Sequence, residues 1–220
     1  MIDSPVYPSE LEALPGVLEQ AGFPVSGLVV THADWDHLLG RTAFPEAALG
    51  VGEATARRLA AEPGQAQREL RRFDEEHYVA GRRPLALSGI QELPVPGRLD
   101  LGPERELELQ PTPGHTADGT AIYIPWADVL VAGDYLSPVE IPMVSSVTDY
   151  RATLDRLQPL VERADTVVPG HGSPMGPEQA LQILAEDKAY TDALPDADLP
   201  AGRRTATQKR IHAENLERIR

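Results

Sequence analysis

The run Thr31-His32-Ala33-Asp34-Trp35-Asp36-His37 places two imidazoles and two carboxylates directly after the apolar stretch Gly27-Leu28-Val29-Val30. Imidazole nitrogens and carboxylate oxygens are the usual protein ligands of divalent cations. Crowded together without a cation, such groups repel one another and resist leaving water. Taken alone, the run also fits a plainer role, an acidic turn capping a helix that starts near Leu38. Three later positions favour the metal. Pro111-Thr112-Pro113-Gly114-His115-Thr116, Gly133-Asp134 and Pro169-Gly170-His171-Gly172 each set a ligand-capable residue just beyond an apolar strand. Glycine lets the backbone turn sharply and proline fixes its path, so ligands on strand-end loops converge at one rim of a sheet. One Pro-Gly-His loop is usually a surface turn. Several strand ends, each offering a ligand, are hard to obtain by accident.

The elements that must position these residues are short. Residues 9–21 carry Leu11, Leu14, Leu18 and Ala21 on one face and read as a helix flawed by Pro15. Val25 to Thr31 reads as a buried strand and Leu38 to Ala43 as one or two helical turns. Ala47–Val51 is a strand, followed by a helix over Glu53–Ala61. Residues 65–80 are helical and charged, and the chain to about Ser88 shows no clear core face. Strands are expected at Ile90–Leu93, Gly97–Leu101, Glu106–Gln110, Ala121–Ile124, Asp128–Ala132 and Thr166–Val168. Helices are expected over Asp149–Ala164, Pro177–Tyr190 and residues 203–220.

A chain of 220 residues is long enough for one sizeable core with a helical appendage. Its net charge of −14 argues against affinity for nucleic acid or anionic membrane. The charge is uneven, because residues 203–220 hold six Arg or Lys and two Glu. That basic tail reads as a solvated helix face rather than a nucleic-acid arm. The absence of cysteine excludes disulfides, thiolate ligands and a cysteine nucleophile. With no signal peptide and no apolar run of spanning length, a cytoplasmic location is the default expectation.

The ordered set His32-x-Asp34-x-Asp36-His37, Thr112-Pro113-Gly114-His115-Thr116, Gly133-Asp134 and Pro169-Gly170-His171-Gly172 resembles the metallo-β-lactamase superfamily. The separations of 78 residues from His37 to His115, 19 on to Asp134 and 37 on to His171 fit as well. The resemblance implies an α/β fold, the αββα four-layer sandwich, over residues 1–176, followed by a helical extension with its basic tail over 177–220. It also implies two divalent metal ions. His32, position 34 and His115 would hold the first, Asp36, His37 and His171 the second, and Asp134 would bridge them. The implied activity is a metal-dependent hydrolase in which a metal-bridging hydroxide attacks a small ester, thioester, lactone or phosphoester. Asp36 would be the catalytic residue that orients the water and shuttles its proton.

Two departures from the family pattern carry consequences. The common pattern has histidine where this chain has Asp34, a shorter, harder and anionic ligand. With Asp34, Asp36, Asp134 and a hydroxide, two divalent ions would be formally neutral, which shifts preference from zinc toward iron or manganese. Family members also open with a β-hairpin before a strand ending in Asp-Ser/Thr-Gly, which Ile2-Asp3-Ser4 resembles. Roughly 20 residues of that start are absent here, leaving either a misplaced start codon or a sheet edge covered by a partner, as in a homodimer. A competing chemistry uses His32, His115 and Asp134 alone as two histidines and a carboxylate, which suits mononuclear iron and a persulfide-dioxygenase-like oxidoreductase. The partner expected is a small-molecule substrate. Residues 62–91 are the expected pocket cover, with His77, Tyr78, Arg82 and Arg83 as contacts for an anionic or polar substrate, and Tyr135 either facing the site or packing beneath it.

Overall fold

Residues 1–219 are described in the computed structural model, which divides into two compact units, Met1–Pro94 and Val95 onward. The expected tail reaches Arg220, which lies outside the described residues. The first unit begins with helix α1, Pro8–Gln20. Pro8 occupies the first turn, where no amide hydrogen is needed, and Glu10 accepts from the Tyr7 amide at 3.0 Å. Pro15 is tolerated inside α1, whose one buried residue is Leu11. Strands β1, Gly27–Val30, β2, Ala48–Gly52, and β3, Ile90–Leu93, form a parallel sheet in that order. Leu28 pairs with Leu49 and Val30 with Val51, so the alternate apolar residues stack into one core with Leu38 and Ala66.

Between β1 and β2 the chain makes a 3-10 turn, Trp35–His37, and the short helix α2, Gly40–Ala43. The helical geometry therefore starts inside the ligand run, earlier than its apolar spacing suggests. Helix α3, Glu53–Ala61, and helix α4, Gln65–Glu76, follow β2. The charged 65–80 stretch proves to have a core face. Ala66 and Leu70 are buried, Leu70 beside Leu11 and Leu39, and Phe73 lies with its ring 4.7 Å from that of Trp35. Ala66, Leu70 and Phe73 recur at i, i+4 and i+7, so a helical apolar face was present in the spacing and only the surrounding charges masked it.

In the second unit, strands β4, Gly97–Asp100, β5, Glu106–Pro111, β6, Thr120–Ile124, β7, Val129–Gly133, and β8, Thr166–Pro169, make a sheet in sequence order. The pairs are antiparallel except β7 with β8, which run parallel because helix α5, Val147–Arg163, connects them. Ser146 caps α5 by accepting from the Asp149 amide at 3.3 Å. Tyr150, Leu154, Leu157 and Val161 of α5 join Ala121, Leu130, Ala132 and Val167 of the sheet in the main core. Burying side chains of this size contributes about 1.5–3 kcal/mol each.

Helix α6, Pro177–Ala193, adds Ala180, Ile183 and Leu184 to the same core, and helix α7, Ala206–Arg218, completes the unit. The tail differs from a merely solvated face. Arg203, Gln208, Ile211 and Asn215 are all buried. A mixed α/β chain with two sheets is thus borne out. Among the described residues, no helix is long and apolar enough to cross a membrane.

Candidate metal centre

The chain after β1 delivers His32, Asp34, Asp36 and His37 as one cluster within the first unit. Asp3 organises it. Its carboxylate accepts the Thr31 amide at 2.9 Å and the Thr31 hydroxyl at 2.8 Å, and its Oδ2 lies 2.8 Å from His37 Nδ1. Because Thr31 donates its hydroxyl hydrogen to Asp3, the Thr31 oxygen is left to accept from His32 Nδ1, 3.0 Å away. Both imidazoles are therefore assigned as Nδ1–H tautomers by their partners. Their Nε2 atoms then carry lone pairs. Those of His32 and His37 face Asp34 Oδ2 at 3.6 Å and Asp36 Oδ2 at 3.7 Å. The two rings lie 4.0 Å apart and are buried. Asp3 itself sits at φ 47°, a left-handed backbone that aspartate tolerates better than most residues.

Asp34 has a second partner that its sequence neighbourhood does not reveal. Arg58 of α3 donates from Nη2 to Asp34 Oδ1 at 2.7 Å, and its Nε lies 3.4 Å from Glu62. The Asp34 carboxylate is thus divided, one oxygen toward a guanidinium and the other toward His32.

The second unit holds His115, Asp134 and His171. The Nε2 atoms of both histidines lie 3.3 Å from the same oxygen, Asp134 Oδ2. His115 Nδ1 is 3.1 Å from the Met143 carbonyl, which can only accept, so this ring too is protonated at Nδ1. Tyr135 packs beneath the site rather than facing it. Its hydroxyl accepts the His115 amide at 2.9 Å and donates to the Pro113 carbonyl at 2.8 Å. Burial pushes this phenol well above its ordinary range, so it stays a donor. Gly114 is required by the loop it bends: its φ is 124°, and a Cβ there would stand 2.3 Å from the Tyr150 amide nitrogen.

Residues 137–144 support this cluster and are themselves held by Arg203, just before α7, and by Gln208 and Asn215 of α7. Ser137 donates its hydroxyl to the His171 carbonyl at 2.8 Å. Arg203 donates to the Glu140 carbonyl at 2.8 Å, Gln208 to the Val139 carbonyl at 2.5 Å and Asn215 to the Pro142 carbonyl at 2.7 Å. Arg203 also meets Glu186 at 3.0 Å and Asp187 at 2.7 Å. Burial raises the Asp187 carboxyl to about 7, with the Arg203 guanidinium pulling the other way.

The donor chemistry fits divalent metal. Imidazole lone pairs opposed to carboxylate oxygens repel unless a cation lies between, and carboxylate or carbonyl partners on the far ring nitrogen are the usual support of metal-bound histidine. The His and Asp side chains fall into groups able to hold an ion, with Asp36 beside His37 and His115 beside Asp134. Six of the seven expected ligands, all but Asp34, belong to such groups. Among the expected substrate contacts, Arg82 is engaged by Asp74 and the Val6 carbonyl, and His77 stacks on Phe73. Tyr78 is 94 % exposed. The supporting residues Asp3, Thr31, Arg58, Ser137 and Asn215 were not identifiable as such from sequence. Only Asp3 left a signal, in the strand-end resemblance of Ile2-Asp3-Ser4.

The profile of the metallo-beta-lactamase superfamily matches residues 5–171, and the chain belongs to that superfamily. Among solved structures, it is similar to a metallo-beta-lactamase family protein from Thermus thermophilus, at 24 % identity and TM-score 0.66, covering 87 % of this chain and 70 % of that one. An archaeal superfamily protein from Sulfolobus tokodaii matches at 20 % identity and TM-score 0.62, covering 99 % and 84 % respectively. The stereoselective inverting sec-alkylsulfatase Pisa1 from Pseudomonas sp. matches at 18 % and 0.66 over 88 % of this chain and 37 % of its own. No curated protein matches the chain. Membership supports metal-dependent hydrolysis in general terms.

Proposed function

We propose that this chain is a hydrolase whose two clusters serve one centre for two divalent metal ions, acting on a small ester, thioester, lactone or phosphoester. His32, Asp34 and His115 would hold the first ion, Asp36, His37 and His171 the second, and Asp134 would contribute to both. The observation that carries this is the common orientation of His32, His37 and His115. Each has Nδ1 held by an acceptor, so that Nε2 presents its lone pair beside a carboxylate oxygen. When bound, the ions acidify water and polarise the bond to be cleaved.

The protein's own contribution is placement. Asp3 and Thr31 fix two rings and the Met143 carbonyl a third, so the ligands are ordered before the ion arrives. Asp36, whose side chain is 16 % exposed and lies 3.7 Å from His37 Nε2, would orient the attacking water and accept its proton. That proton passes to the leaving oxygen or sulfur as the hydroxyl joins the acyl or phosphoryl centre. The net charge of −14 favours a small substrate over a polyanion.

The test is a panel of small esters, thioesters, lactones and phosphodiesters. Purified protein is assayed before chelation, after removal of metal, and after restoration with zinc, manganese or iron(II) under anaerobic conditions. Hydrolysis of at least one class, lost on chelation and restored by metal, is expected. Activity that survives complete metal removal, or turnover that consumes dioxygen instead of water, overturns the proposal.

A further inference from the structure

We infer that Arg58 and Asp34 act as one unit at the first metal position, with Arg58 the positioning residue that sets which ion is preferred there. This rests on the dinuclear centre proposed above. The geometry divides the labour within Asp34: Oδ1 is held 2.7 Å from Arg58 Nη2, which fixes the rotation of the carboxylate and points Oδ2 toward His32 Nε2 at 3.6 Å. Both side chains are about three-quarters buried, at 24 % and 27 % exposure, so their interaction is less screened than that of a surface pair.

Charge gives the pair its meaning. Aspartate in place of a neutral imidazole adds one negative charge beside the ion, and the Arg58 guanidinium returns one positive charge to the same place. The pair therefore offers an oxygen ligand at nearly the net charge of a histidine. A simple structural brace would explain the contact of Arg58 Nε with Glu62 at 3.4 Å. It does not explain why the shorter bond, at 2.7 Å, goes to the residue that breaks the histidine pattern.

The test is a double-mutant cycle read as metal affinity, using zinc and manganese alone in competition with a chromogenic chelator. Five proteins are compared: wild type, Arg58→Met, Asp34→His and the double variant of the cycle, with Arg58→Lys beside them. Asp34→His leaves the guanidinium facing an imidazole and a cation, so zinc affinity falls about tenfold or more despite the better nitrogen ligand. Arg58→Met added to Asp34→His restores it to within about threefold of wild type. Arg58→Met alone leaves an uncompensated carboxylate and raises the manganese-to-zinc preference about tenfold. Arg58→Lys keeps the charge and the wild-type preference. A cobalt(II) spectrum adds a readout of coordination that a brace alone would not move, and circular dichroism confirms that each variant is folded. Wild type that takes up two ions, with Asp34→His binding zinc equally well whether Arg58 is present or not, overturns this inference and leaves the metal centre standing. Wild type that binds no divalent ion overturns both.

Discussion

Replacing Asn215 by alanine breaks a buried connection between the last helix and the loop that holds His115. Asn215 is fully buried; its Oδ1 accepts the Val144 amide at 2.9 Å, and its Nδ2 donates to the Pro142 carbonyl at 2.7 Å and to the Tyr190 hydroxyl at 3.0 Å. Tyr190 keeps a partner in His212, 2.8 Å from its hydroxyl, so its loss is small. The Val144 amide and the Pro142 carbonyl lose theirs inside the protein, at about 1–3 kcal/mol each. Allowing for partial relaxation, Asn215→Ala should cost about 3–5 kcal/mol in urea unfolding of the metal-free protein, a large share of the stability of a typical domain. Arg210→Ala, at an exposed position of the same helix, should change stability by less than about 0.5 kcal/mol. The residue between the two orphaned groups is Met143, whose carbonyl orients His115. The folded fraction of Asn215→Ala should therefore also bind metal about tenfold more weakly. A loss below about 1 kcal/mol, with unchanged metal affinity, would refute the claim that α7 holds this loop.

Asp3→Asn removes the carboxylate that fixes Thr31 and His37 while leaving the ligands in place, so metal affinity should fall about 10- to 100-fold by calorimetric titration; unchanged affinity would show the contact to be incidental. Gly114→Ala places a Cβ 2.3 Å from the Tyr150 nitrogen at a φ of 124° and should lower the thermal midpoint by well over 5 °C; a wild-type midpoint contradicts it. Asp187 titrates near 7 when folded against an ordinary value near 4 when unfolded, because burial favours its protonated form. The folded state thus binds the proton more tightly. The contribution of this group is fully present below about pH 4 and is lost as the pH rises to about 7. Asp187→Asn should flatten the fall in urea midpoint between pH 5 and pH 8, and an identical pH dependence in the variant would count against that assignment.

The proposed ligands could be picked out of the sequence because metal chemistry restricts residue type, and because glycine and proline mark the loops that carry them. His115 and His171 announce themselves by the turns around them, and Asp134 by the strand that ends beside it. What stayed hidden depends on contacts between distant parts of the chain. Nothing near Arg58 signals that a helix 24 residues after Asp34 will bring a guanidinium to it. Arg203, Gln208 and Asn215 look like ordinary polar residues of a basic tail, since their burial arises only when they reach the backbone of residues 137–144. The core face of α4 is a different case, because the i, i+4, i+7 spacing of Ala66, Leu70 and Phe73 was in the sequence and was masked by the charges around it. So few apolar residues suffice there because Trp35 and Leu11 supply the other side.

The central claim is that these His and Asp residues serve one centre for two ions. The most direct test is the metal content, by inductively coupled plasma mass spectrometry, of protein purified without added metal and then saturated and desalted. Wild type is expected to retain about two divalent ions per chain, His171→Ala about one, and Asp134→Ala fewer than one, because Asp134 is assigned to both. Wild type that retains no ion, or Asp134→Ala that retains as much as wild type, would contradict it.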